Sequence, residues 1–159
     1  MQVLISDANI LIDMEVGALL DRMFQLPYQF MTPDVLFEEE LKASHPYLLA
    51  LGLQLGELSG AHLATVFELN DRYGGPSIHD CFALALAKQE RCPLLTGDRA
   101  LTNAAKREAV VVMGTLWVVE QMVVHGILTK EEALQGYEDM RTNGSRLPWE
   151  LARKNILEL

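Results

Sequence analysis

Four acidic side chains in this 159-residue chain stand where carboxylates can do chemistry together: Asp7, Glu39, Asp80 and Asp98. Asp7 closes the apolar run Val3-Leu4-Ile5 through Ser6, and Asp98 follows Leu94-Leu95-Thr96-Gly97. Asp80 lies in the first turn of an Ala/Leu-rich stretch that opens at Ser77, and Glu39 lies in a helical stretch after Thr32-Pro33. Crowded at one edge, such groups repel by roughly 1–4 kcal/mol per pair at about 4 Å, for dielectrics between water and a protein surface. Helix N-termini offset part of this, and a divalent cation offsets much more. Hard oxygen donors of this kind suit Mg2+ or Mn2+. An all-carboxylate site with one or two such ions suits phosphodiester hydrolysis, one ion activating water and the other steadying the leaving oxygen.

Each acid also has a plain structural role open to it. Asp7 can make an Asx turn, Asp80 can complete a capping box with Ser77, Asp98 can cap a helix, and Glu38-Glu39-Glu40 reads as a solvated helix face. Caps need not cluster. A parallel sheet, however, gathers strand C-termini and helix N-termini at a single edge, and ligands of such sheets bind there.

The elements that must position these acids follow from periodicity and breakers. Strands are expected over residues 3–5, 28–31, near 51–55, over 94–96 and, most strongly, over 110–113. Helices are expected over 9–22 with a break at Gly17, from Thr32 as N-cap and Pro33 as first residue to about 43, from Ser59 to about 72, from Ser77 onward, and from Asp98 to about 108. Beyond Gly114 the pattern is helical only, over 116–125, from the capping box Thr129-x-x-Glu132 to about 140, and over 148–157. Alternating strands and helices imply an α/β fold with a parallel sheet covered on both faces. One domain is expected, a core over residues 1–115 with a helical tail over 116–159 packed on it.

Half the residues are apolar, which allows a sizeable core, and no run is long and apolar enough for a membrane span. No secretory leader is visible, so a cytoplasmic protein is expected. The two cysteines are too few for a disulfide framework or a zinc site, and Cys81 reads as core. The net charge of −9 is uneven, with 3 basic and 11 acidic residues over 1–79 against 10 and 11 over 80–159. Such a balance argues against a general nucleic-acid coat and leaves room for a cation-gathering nuclease or a protein that docks a basic partner. Arg99, Lys106 and Arg107 lie nearest the acids in sequence and read as surface charges; His79 reads as a helix-start residue and Asp13 as a helix-surface acid. Trp117, Val118, Met122 and Val123 form an apolar stripe that reads as core.

Other acidic motifs fail on single residues. A haloacid-dehalogenase-type phosphatase needs aspartate two residues after its nucleophile, where Asn9 stands. A receiver domain wants an acidic pair after its first strand, and Ser6-Asp7 supplies one acid. Glycine-rich phosphate loops are absent.

The segments SDANILID at 6–13, TPDVLFEEEL at 32–41, SIHDCFALALAKQERCPLLTGDRAL at 77–101 and VVVMGT at 110–115 together resemble the PIN-domain family, in order and spacing. The tail from Gly114 is similar to that of a bacterial and archaeal subgroup related to VapC-type toxins. The resemblance implies a PIN-like three-layer α/β/α fold and a Mg2+- or Mn2+-dependent ribonuclease, the toxin-like member of a toxin–antitoxin pair. It also implies a homodimer inhibited by an antitoxin protein. Asp7, Glu39, Asp80 and Asp98 would be the metal-binding catalytic acids, with Asn9 and Thr96 as supporting polar residues. Spacing from Pro33 selects Glu39, which one turn after Val35 should face the core; the position before Leu41 would select Glu40. The rival class is a catalytically weak PIN-fold module that binds RNA or protein in a regulatory role.

Overall fold

Val3, Leu4 and Ile5 form the middle of β1 (Gln2–Ser6), and Leu4 and Ile5 are fully buried, as expected of a strand covered on both faces. A computed structural model of the protein describes residues 1–159. β1 is the centre of a five-stranded parallel sheet flanked by helices. It pairs on one side with β2 (Tyr28–Pro33), register Gln2 to Tyr28 through Ile5 to Met31, and on the other with β4 (Leu94–Leu95). β3 (Gln54–Gly56) lies outside β2 and β5 (Val112–Met113) outside β4, giving the order β3-β2-β1-β4-β5. The chain builds outward from β1 to β3, then returns to β4 on the opposite side. The reversal places a topological switch point between β1 and β4, and the C-terminal ends of these two strands carry Asp7 and Asp98.

Helices α1 (Ala8–Val16), α2 (Leu20–Met23), α3 (Asp34–Leu36), α4 (Leu48–Leu51) and α5 (Gly60–Arg72) belong to the first half. α6 (Ile78–Glu90) and α7 (Arg99–Arg107) flank β4 in sequence. α6 packs across β1, β2 and β4 through the buried Cys81, Ala83, Leu84, Ala85, Leu86 and Ala87. The alanines let its backbone lie close to the sheet. Gly56 serves the same packing, since a Cβ there would come within 2.7 Å of Leu86 Cδ2 and 2.8 Å of Met31 Sδ.

The C-terminal helices are α8 (Thr115–Val124), α9 (Lys130–Thr142) and α10 (Trp149–Leu157). Val118, Val119 and Met122 are buried in the common core, and Trp117 packs on it with its ring 5.6 Å from that of Tyr28. The apolar stripe of α8 is therefore spent within the chain. α9 crosses α1 at Gly17 and Gly136, where a Cβ on Gly136 would meet Leu19 Cδ1 at 2.7 Å. The Thr129–Glu132 capping box is formed as expected.

Three local expectations are corrected. Thr32 is no N-cap: it is buried in β2 and donates its hydroxyl to the Ser6 carbonyl at 3.0 Å, so the following helix starts only after Pro33. The strand near 51–55 shrinks to Gln54–Gly56, because residues 48–51 are helical and Gly52 ends that turn at φ +123°. Residues 110–113 give only the two paired residues of β5, at the sheet's edge, and Val111 is exposed.

Candidate active site

Asp7 leaves β1 as the N-cap of α1: its Oδ1 accepts the backbone N–H of Ile10 at 3.0 Å. Its own N–H bonds to Leu95 O at 3.0 Å, which stitches the residue to the end of β4. The residue is only 3% exposed, and its Oδ2 accepts the Thr96 hydroxyl at 2.5 Å. Burial pushes the Asp7 carboxyl up to about 6, against the pull of Thr96 and Ile10, and the charges of Asp80 and Asp13 add to the rise. A buried carboxylate within reach of other negative charges is an arrangement that a cation would relieve.

Asp98 is the N-cap of α7, its Oδ2 accepting Leu101 N–H at 2.8 Å. Its backbone N–H donates to Thr96 Oγ1 at 3.1 Å, so a single buried hydroxyl joins Asp7 to the turn that carries Asp98. Asp80 occupies the third position of α6 in a capping box: its Oδ2 accepts Ser77 N–H at 3.0 Å, and its own N–H donates to Ser77 Oγ at 3.1 Å. Asp7 and Asp98 are thus helix N-caps and Asp80 is the capping-box partner of Ser77; Thr96 joins Asp7 to the Asp98 turn at the ends of β1 and β4, and the charge of Asp80 reaches Asp7. Capping occupies one oxygen each of Asp80 and Asp98, whose Oδ1 atoms make no hydrogen bond within the protein, whereas both oxygens of Asp7 accept one, from Ile10 N–H and from the Thr96 hydroxyl. The donor set left over is all hard oxygen, which fits Mg2+ or Mn2+. As the side chains stand, no three His, Cys, Asp or Glu groups converge tightly enough to form a complete metal cage.

Glu39 is placed differently from the expectation. It lies in a π-helical turn, Phe37–Leu41, closed by Lys42 N–H donating to Phe37 O at 2.8 Å. The extra residue in that turn rotates Glu39 off the core side, and its side chain is 59% exposed. Glu38 pairs with Lys42 at 3.1 Å. Glu39 and Glu40 both bond to His79, Glu40 Oε1 to Nδ1 at 2.8 Å and Glu39 Oε2 to Nε2. Burial pulls the His79 imidazole down, but the two glutamates outweigh it and raise it above the ordinary histidine value.

Asn9 is exposed in the first turn of α1 and makes no side-chain hydrogen bond, whereas Thr96 is a structural hinge of the site. Asp13 is corrected from surface acid to anchor. It is half-buried, accepts the Ser145 hydroxyl at 3.1 Å and lies 3.4 Å from the Thr115 hydroxyl, and burial raises its carboxyl. Its partners lie more than a hundred residues away, so no local pattern marked it.

This topology is that of an open parallel α/β sheet with aspartates at its switch point, the edge at which such sheets bind ligands. A family model described as PIN domain matches residues 3–159, and the chain belongs to the PIN-domain family, whose fold is generally that of nucleases. No curated protein matches the chain. No helix is long and apolar enough to cross a membrane.

Proposed function

We propose that this chain is a Mg2+- or Mn2+-dependent endoribonuclease, the toxin-like component of a VapC-type toxin–antitoxin pair, with Asp7, Asp80 and Asp98 as metal ligands. Glu39 binds a second ion or orients the attacking water. The supporting observation is the Thr96 hydroxyl, which holds the buried Asp7 carboxylate against the turn that presents Asp98. A bound divalent cation supplies Lewis-acid activation of water and neutralises charge at the scissile phosphate. The protein's part is to fix the acids: Asp7 through Ile10 and Thr96, Asp80 through Ser77, Asp98 through Leu101. Preorganisation of this kind is what positions ligands without reorganisation at the moment of reaction.

The division into a nuclease core over 1–115 and a tail over 116–159, the homodimer and the inhibiting antitoxin belong to the same reading. Calorimetric titration with Mn2+ tests the site directly. The parent should bind with at least tenfold higher affinity than Asp7→Asn; equal binding would remove Asp7 from the metal site, and metal affinity without turnover on any structured RNA would point instead to the regulatory PIN-fold module.

A further inference from the structure

Of the three consecutive glutamates before Leu41, only two face another element. Glu38 is tied along its own helix to Lys42. Glu39 and Glu40 reach the first turn of α6 and occupy the two ring nitrogens of His79, the residue directly before Asp80. The His79 side chain is 18% exposed, while those of Glu39 and Glu40 are 59% and 38% exposed. Neither glutamate has another side-chain partner. Released from the ring, each would be a long surface side chain with several rotamers and a like-charged neighbour, and ordering such a chain costs conformational entropy. The π-helical turn sets the pair side by side, so that one planar ring takes both.

We propose that His79 is the positioning residue for Glu39: it clamps the glutamate turn to the α6 turn that presents Asp80, and so adds Glu39 to the acidic edge. The inference rests on the metal-dependent reading above. In it Glu40 is the second arm of the clamp, which fixes the ring plane, and Glu39 keeps its Oε1 for the site. The ring acts only through the glutamate.

The test is a double-mutant cycle on Mn2+ affinity, measured by calorimetry on the full chain, with the metal-free melting temperature recorded beside it. His79→Ala should weaken Mn2+ binding about tenfold, in line with the loss of groups that orient metal ligands. The melting temperature should move by less than about 3 °C, as for the loss of hydrogen bonds to two partly exposed glutamates. Glu39→Gln should weaken binding similarly, and the double variant should be no weaker than Glu39→Gln alone. Parent-like affinity in His79→Ala, or fully additive losses in the double variant, overturns the clamp and leaves the metal site standing. A parent that binds no Mn2+ overturns the metal reading and the inference with it. If His79→Ala does not fold, the His79 ring resonances read the clamp from the other side: they should shift in Glu39→Gln, and unchanged resonances overturn it.

Discussion

The Thr96 hydroxyl donates to Asp7 Oδ2 at 2.5 Å while accepting the Asp98 backbone N–H at 3.1 Å. One side chain therefore fixes both the acid that ends β1 and the turn that follows β4, across the point where strand order reverses. Thr96→Val keeps the shape and deletes both bonds, leaving Asp7 Oδ2 and the Asp98 N–H without these partners. We expect a loss of about 1–3 kcal/mol in urea unfolding and a marked drop in Mn2+ affinity, with Thr96→Ser close to the parent in both. A parent-like Thr96→Val would show the bridge to be dispensable.

Asp7 costs the metal-free protein stability. Its folded carboxyl is raised from 3.8 to about 6, so stability falls as pH climbs through that window and the loss is complete above it. The shift corresponds to at most roughly 3 kcal/mol. Asp7→Asn should therefore raise the melting temperature in chelator at pH 7.5 by several degrees while abolishing metal binding. A lower melting temperature would contradict the buried-charge account.

At the other pole of the molecule, Glu108 carries the opposite sign. Its side chain is 8% exposed and accepts from Lys88 at 2.6 Å, Arg72 at 2.7 Å and Tyr73 at 2.5 Å. Burial alone would raise its carboxyl, but these three partners bring it down from 4.5 to about 2. The stabilisation is present above pH 4.5 and is lost as pH falls towards 2. Urea midpoints measured from pH 2 to 6 should fall steeply over that window for the parent and much less for Glu108→Gln. Curves of the same shape would show that Glu108 does not control the acid limb.

The tail's attachment depends on the absence of a side chain. A Cβ at Gly136 would sit 2.7 Å from Leu19 Cδ1 and 3.3 Å from Gly17 O. Gly136→Ala should cost about 1–3 kcal/mol and raise amide exchange in α9 before the sheet. Unchanged exchange in α9 would mean that the crossing has room to give.

Much of the scaffold was legible because it rests on local chemistry. Ser59, Ser77 and Thr129 are N-caps, the last two in the expected capping boxes, and the Ala/Leu face of α6 is buried as its pattern demands. The parallel sheet followed from the alternation of apolar runs and helices. What local pattern could not reveal was decided by contacts between distant segments. Thr32 is held in the sheet by the Ser6 carbonyl, and Asp13 is anchored by Ser145, 132 residues later. The π-helical turn that turns Glu39 outward has no sequence signature, and its reason appears only when His79 is seen to engage Glu39 and Glu40. The three aspartates were placed by strand ends and helix starts; the glutamate, on a face rather than at an end, was not.

The central claim is that Asp7, Asp80 and Asp98 make one metal-dependent hydrolytic site. Cleavage of a panel of tRNA, rRNA and single-stranded DNA, in Mn2+ and in chelator, tests it most directly when parent, Asp7→Asn and Asp80→Asn are compared. We expect RNA cleavage by the parent in Mn2+ that is lost in chelator and falls at least about 100-fold in either variant, since removing a ligand removes the charge that the chemistry needs. Variants that cleave RNA as the parent does, in Mn2+ and in chelator alike, would contradict it.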